Sequence, residues 1–154
     1  MAVLELPELK RALQPGQRLL GLDLGEKTIG LALSDTTLTV ATPFETLKRG
    51  KFTADAKSLD ALVASHEIGG LIVGLPLGLD GRPGRAAQSA RAFARNFARR
   101  SPIPLAMVDE RFSTLAADKA LLAADLSRQT RKAAIDKVAA AYILQGALDR
   151  LKTF

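Results

Sequence analysis

Two aliphatic runs, Leu19 to Leu24 and Ile29 to Leu33, stand on either side of a short polar turn at Gly25-Glu26-Lys27-Thr28. Their length, and the glycine-containing turn between them, predict strands at about 18–24 and 28–34 joined as a β-hairpin. A third strand follows at about 38–47, carrying Val40 and Phe44, so the first half of the chain reads as an antiparallel meander. Ala54, Leu59, Leu62 and Val63 have the spacing of an amphipathic helix over 53–66, with Thr53 as its N-cap and Gly69 and Gly70 beyond its end. Leu71-Ile72-Val73-Gly74-Leu75 is wholly apolar, the mark of a strand covered on both faces. Pro76 stops it, and the glycine-rich stretch Gly78 to Arg85 predicts a loop. Residues 85–100 form an Ala- and Arg-rich helix in which Phe93 and Phe97 share one side as core contacts.

Pro102 and Pro104 bracket the next strand, Leu105 to Glu110. Ser113 or Thr114 can cap a helix carrying Leu115, Leu121 and Leu122; residues 125–132 read as a polar, basic loop; and a last helix runs from about Lys132 to Lys152. At the other end, Pro7, Pro15 and Gly16 interrupt a short helical stretch at Glu8 to Leu13. Residues 1–17 therefore read as an extension, and 18–154 as the domain. The order of elements predicts an α/β fold: a mixed five-stranded sheet, three strands antiparallel and two parallel, with helices on both faces.

Composition narrows the function. With 154 residues, 47% of them hydrophobic, the chain holds a sizeable single core. It has no cysteine, which excludes disulfides and thiolate metal sites. No apolar run reaches membrane-span length, and the first residues lack the pattern of a signal peptide, so a cytoplasmic location is expected. A net charge of +6 points to a polyanionic partner. The basic residues cluster: Arg82, Arg85, Arg91, Arg95, Arg99 and Arg100 in one segment, Arg128, Arg131, Lys132 and Lys137 in another. The alternative to a phosphate-contacting surface is a pair of ordinary solvated helix faces.

Three acids stand where acids are unexpected. Asp23 sits inside an apolar strand; burying a carboxylate is costly unless a cation, a hydrogen-bond network or a strand-end position relieves it. Gly25, two residues on, is free to take a positive φ and to let backbone approach a ligand. The plainer reading is that Asp23 caps a turn. Asp109 and Glu110 close the strand at 105–110, and strand ends of α/β sheets are where ligands bind. Asp136 lies on the face of the last helix marked by Ala140 and Ile143, where the alternative is an acid placed for the helix dipole. His66, the single histidine, is far along the chain from all of these and reads as a helix-end residue.

Four segments resemble the YqgF family, also called RuvX, in order and spacing over about residues 19–151. They are Gly21-Leu22-Asp23-Leu24-Gly25-Glu26-Lys27-Thr28-Ile29-Gly30 with Ser34-Asp35; Val73-Gly74-Leu75-Pro76-Leu77 with Asp80-Gly81; Val108-Asp109-Glu110-Arg111-Phe112-Ser113-Thr114; and Ile135-Asp136 with Ala139-Ala140 and Ile143-Leu144-Gln145. Phe112 stands where the family usually has an aliphatic residue. The resemblance implies a ribonuclease H-like fold and a metal-dependent nuclease. Its substrate would be RNA, the precursor of 16S ribosomal RNA, with DNA as a second substrate. Asp23, Glu110 and Asp136 would be both the catalytic residues and the ligands of Mg2+ or Mn2+, Asp23 bridging two ions ~3.5–4 Å apart. Neighbouring strand residues point to opposite faces, so only one of Asp109 and Glu110 reaches the site, and the resemblance favours Glu110. Lys27, Gly74, Gly81, Arg82, Arg85, Arg111, Arg131 and Lys132 are the expected substrate contacts. Two other functions compete: a Holliday-junction resolvase, which needs a two-fold homodimer where the RNA nuclease can be a monomer, and a non-catalytic nucleic-acid-binding module.

Overall fold

The computed structural model describes residues 3–76, 84–110 and 128–154, with side chains from residue 135 onward in the last stretch. Its elements are β1 (Val3–Leu4), α1 (Leu6–Ala12), β2 (Arg18–Leu24), β3 (Thr28–Ser34), β4 (Ala41–Lys48), α2 (Phe52–Ser65), β5 (Ile68–Leu75), α3 (Arg85–Arg100), β6 (Leu105–Asp109) and α4 (Arg128–Leu151). The predicted helix after Ser113 or Thr114, most of the Gly78–Arg85 loop, and Asp80, Phe112, Leu115, Leu121 and Leu122 lie outside the described residues.

The strands form one mixed sheet in the order β1-β6-β5-β2-β3-β4. β2–β3 and β3–β4 pair antiparallel, whereas β2–β5, β5–β6 and β1–β6 pair parallel. The meander and the parallel half are as the hydrophobic pattern predicts, but the sheet has six strands, not five. The sixth comes from the N-terminal stretch: Val3 and Leu4 pair with Leu105 and Ala106. Two residues are too few to display an alternation, and Pro7 right after them reads as a breaker. It is instead accepted in the first turn of α1, where no intrahelical N–H is needed. Helix α1 buries Leu6 and Leu9 in the core, and Lys10 Nζ donates to the carbonyls of Leu151 and Phe154. It thereby satisfies acceptors that the end of α4 leaves open.

Alternation along the strands sends side chains into two cores. Leu20, Leu22, Leu24, Ile29, Leu31, Leu71 and Val73 pack toward α2 and α3, where Phe93 and Phe97 stack. Leu19, Ala32, Ile72, Ala106 and Val108 pack toward α1 and α4, against Ala139, Ala140, Ile143 and Leu144. The inward face read for the last helix is therefore the packed one. Several element ends differ from expectation. Helix α2 starts one residue before Thr53, with Lys51 at the N-cap and no side-chain cap bond. It closes at His66, whose N–H donates to the Leu62 carbonyl, and Glu67 turns the chain with a left-handed φ of 55°. Gly69 and Gly70 are then buried inside β5, with the Leu9 and Leu19 side chains lying over Gly70. β4 begins at Ala41, because residues 35–40 form a turn around the Asp35 carboxylate. α4 starts at Arg128, four residues before the predicted Lys132.

Candidate active site

The acids lie along a row that crosses the sheet near the carboxyl ends of the parallel strands. Asp23 pairs with Gly30 across the β2–β3 ladder. On its other side, Leu22 pairs with Val73, so the next position along the two parallel strands sets Gly74 beside Asp23. Residues in such a row share a face, and here it is the α4 face: the positions that would carry a Cβ at Gly30 and Gly74 both point at groups attached to α4 or β6.

Each glycine flanking Asp23 makes room for one of the other two acids. A Cβ built on Gly30 would stand 2.0 Å from the Asp136 carbonyl oxygen and 2.4 Å from its carbonyl carbon. Helix α4 thus rests backbone-to-backbone on β3 at Asp136. The Asp136 carboxylate Oδ2 accepts a hydrogen bond of 2.5 Å from Thr28 Oγ1, two residues along β3 on the same face. A Cβ on Gly74 would stand 2.8 Å from Glu110 Oε1 and 2.5 Å from Ile143 Cδ1, so the Glu110 side chain folds back over β5. Asp109 pairs with Leu75 and borders the same recess as Glu110, but only Glu110 reaches over Gly74. That recess, about 280 Å3, lies between the end of β6 and α4 and is walled by Val108, Tyr142, Ile143 and Gly146.

Asp23, Glu110 and Asp136 are all half-buried, screened by the sheet yet open to solvent. Among the described residues, no three carboxylate or imidazole groups stand close enough to hold a single metal ion. The donors are nonetheless all carboxylate oxygens, the set that hard divalent cations take. The fit to such an ion is one of donor chemistry and of a shared face.

Of the expected substrate contacts, Lys27 is exposed in the β2–β3 turn and Arg85 is exposed at the start of α3. Gly74 is buried beneath Glu110. There its missing side chain makes room for the Glu110 and Ile143 side chains. Gly81, Arg82 and Arg111 lie outside the described residues, as do the side chains of Arg131 and Lys132. Gly25 does not adopt a positive φ; Gly16 is the one described glycine that does. Instead, the Gly25 N–H donates to the Thr28 carbonyl at 2.8 Å and closes the hairpin turn. His66 caps α2, with Nδ1 beside the Leu62 carbonyl and Ser65 Oγ and its ring edge-on to Phe44.

Two residues of the site escaped the sequence reading. Thr28 holds Asp136, and its place five residues after Asp23 in a strand of alternating faces was the available signal. Arg49 donates from Nη1 to the Gly25 carbonyl at 2.7 Å and from Nη2 to Ser89 Oγ at 2.9 Å, tying the turn after Asp23 to α3. Nothing in the basic link at Lys48 to Lys51 distinguishes it from its neighbours.

The chain is similar to known proteins along nearly its whole length. A protein from Ruegeria pomeroyi named "Putative pre-16S rRNA nuclease" is 55% identical over 145 residues, covering 94% of each chain. One of the same name from Paramagnetospirillum magneticum is 54% identical over 154 residues, covering 100% of this chain and 99% of its own. Among solved structures, Thermus thermophilus RuvC in complex with a Holliday junction substrate superposes with a TM-score of 0.55 at 12% identity, over 89% of this chain and 97% of that one. The fowlpox virus Holliday junction resolvase gives 0.50 at 13% identity, over 90% and 100%. Those two likenesses show a shared ribonuclease H-like fold. A family model described as "RuvX: Holliday junction resolvase" matches residues 17–150, and the chain belongs to that family.

Proposed function

We propose that this protein is a divalent-metal-dependent nuclease that hydrolyses phosphodiester bonds in RNA, acting on the precursor of 16S ribosomal RNA. The observation that carries the reading is the acidic row: Asp23 sits between two glycines whose missing side chains admit Asp136 on one side and Glu110 on the other. Three carboxylates gathered on one face repel one another unless cations lie among them. Asp23, Glu110 and Asp136 would hold Mg2+ or Mn2+, which when bound supplies Lewis-acid stabilisation of the charge developing on the phosphodiester and lowers the pKa of water.

The protein's own part is to fix these oxygens. β2 and β3 hold Asp23 in a ladder, the contact at Gly30 sets the height of α4, and Thr28 sets the direction of the Asp136 carboxylate. The curated relatives' names favour an RNA precursor over a DNA junction as substrate. Lys27, exposed in the turn after Asp23, and Arg85, exposed at the start of α3 across the cleft from that turn, are cations placed to receive its phosphates.

Cleavage of labelled single-stranded RNA and of a synthetic four-way DNA junction, each with Mg2+ or Mn2+, tests the proposal. Wild type should cut RNA faster, and Asp23→Asn should lose several kcal/mol of transition-state stabilisation, roughly a thousandfold in rate. Glu110→Gln should follow it closely, while Asp109→Asn should stay within about threefold of wild type. Binding without cleavage in every metal would replace the nuclease by a binding module. Faster cutting of the junction would move the substrate to branched DNA.

A further inference from the structure

The outer side of α3 carries Arg91, Arg95 and Arg99, each about one helical turn beyond the last, with Arg85 at the start of the helix. All four are exposed, and α3 contains no acidic residue. Among the described residues, none of these guanidinium groups has an ion pair or a hydrogen bond; Arg100, on the flank of the helix, does, to Asp60 of α2 at 2.7 Å. Like charges four residues apart on a helix destabilise it. Arg91, Arg95 and Arg99 make two such pairs in succession, so the stripe is unfavourable for the free protein.

The start of α3, ahead of the stripe, lies beside the turn that follows Asp23. Arg85 lines an open cleft of about 430 Å3 with Gly25, Glu26, Arg49 and Ser89, between the β2–β3 turn and the start of α3. Arg49 spans this cleft and pins the two sides together. From Arg85 to Arg99 the helix advances about 21 Å, at ~1.5 Å per residue. A strand with its scissile phosphate at Asp23 that crosses the turn toward the α3 side of the sheet would meet Arg85 first and then, about 9 Å further along the helix, the Arg91–Arg95–Arg99 row.

We propose that the Arg91–Arg95–Arg99 stripe is a docking track for the phosphate backbone of the substrate's flanking strand. It makes the protein prefer long nucleic acid to short. This deepens the nuclease reading and rests on it. An acidic protein is the poorer fit: no large apolar side chain is exposed on α3, whereas protein interfaces are built around an apolar core. Backbone neutralisation needs only evenly placed cations.

The test is the triple variant Arg91→Gln/Arg95→Gln/Arg99→Gln, which keeps good helix formers on an exposed face. Its affinity for a long single-stranded RNA should fall on the order of ten- to a hundredfold, and the slope of log affinity against log salt should become shallower by about 2, ~0.7 for each phosphate no longer neutralised by an arginine. Its KM for long RNA should rise far more than any change in its hydrolysis of bis(4-nitrophenyl) phosphate, which has no flank. Unchanged affinity and salt slope, with circular dichroism showing an intact fold, would overturn the track. Retained RNA binding alongside abolished binding of polyglutamate would reassign the stripe to an acidic protein. If neither protein hydrolyses either substrate while the affinity and slope still fall, the track stands and the nuclease reading fails.

Discussion

On the α4 face of the sheet, the helix comes down onto strand backbone: the Asp136 backbone rests on Gly30, and the Leu144 side chain fills the space above Gly21. On the α3 face they meet through side chains, with Phe93, Phe97 and Ala94 set on Leu20, Leu22 and Val73. The first face presents acids and the second, on its outer side, arginines. The difference fits the roles proposed for the two sets of charges. A metal-ligating oxygen has to be positioned to a fraction of an ångström, which a contact with backbone on both sides provides because neither partner can yield. A cation that attracts a phosphate chain acts over about 10 Å in physiological salt, so a helix cushioned on deformable side chains is sufficient.

The sharpest way to break this comparison is Gly30→Ala. The added methyl would have to share space with the Asp136 carbonyl, and backbone cannot swing aside. The variant should lose about 3 kcal/mol of stability in urea denaturation, the upper part of the range for overpacking, and with it nearly all cleavage. Gly74→Ala should separate the two effects. Its methyl meets only the ends of the Ile143 and Glu110 side chains, which can turn away. Stability should then change by less than about 1 kcal/mol, while displacement of Glu110 lowers the cleavage rate roughly ten- to a hundredfold. Equal stability losses in the two variants would show that α4 is not set by backbone contact at Gly30.

The smallest effect is expected at the far end of β3, away from both charged regions. Asp35 accepts hydrogen bonds from the Thr37 hydroxyl and from the Thr39 and Val40 N–H groups, and these hold its carboxyl at about 2, below its ordinary 3.8. A depressed folded-state pKa adds stability that is complete above the unfolded value and is lost as pH falls through the folded one. Asp35→Asn should therefore be slightly less stable than wild type at neutral pH, with the gap closing between pH 3.8 and about 2. Denaturation curves across that interval check it. A gap that persists at the acid end would mean the turn depends on shape and not on charge.

Sequence periodicity was enough for β2, β3, β5, α3 and most of α4, since each is a long run with one clear repeat and a marked end. The helix at 85–100 and the inward face of Ala139, Ala140 and Ile143 were legible to the residue. Elements whose identity depends on a partner were not. Val3–Leu4 is a strand only because β6 offers a free edge, and Gly69 and Gly70 lie in a strand only because Arg18 to Leu22 pair alongside them. The acids were visible one at a time, each as a charge in an apolar setting. Their relation to each other was decided by register and by two absent side chains. Glycine in a strand reads as weakness from sequence alone, whereas at Gly30 and Gly74 the missing Cβ is occupied by the neighbour that the site requires. The composition of each run thus determined what this chain folds into, because burial and periodicity are local properties. Only the tertiary structure decided which acid stands beside which, because distance between remote residues depends on how closely their backbones can approach.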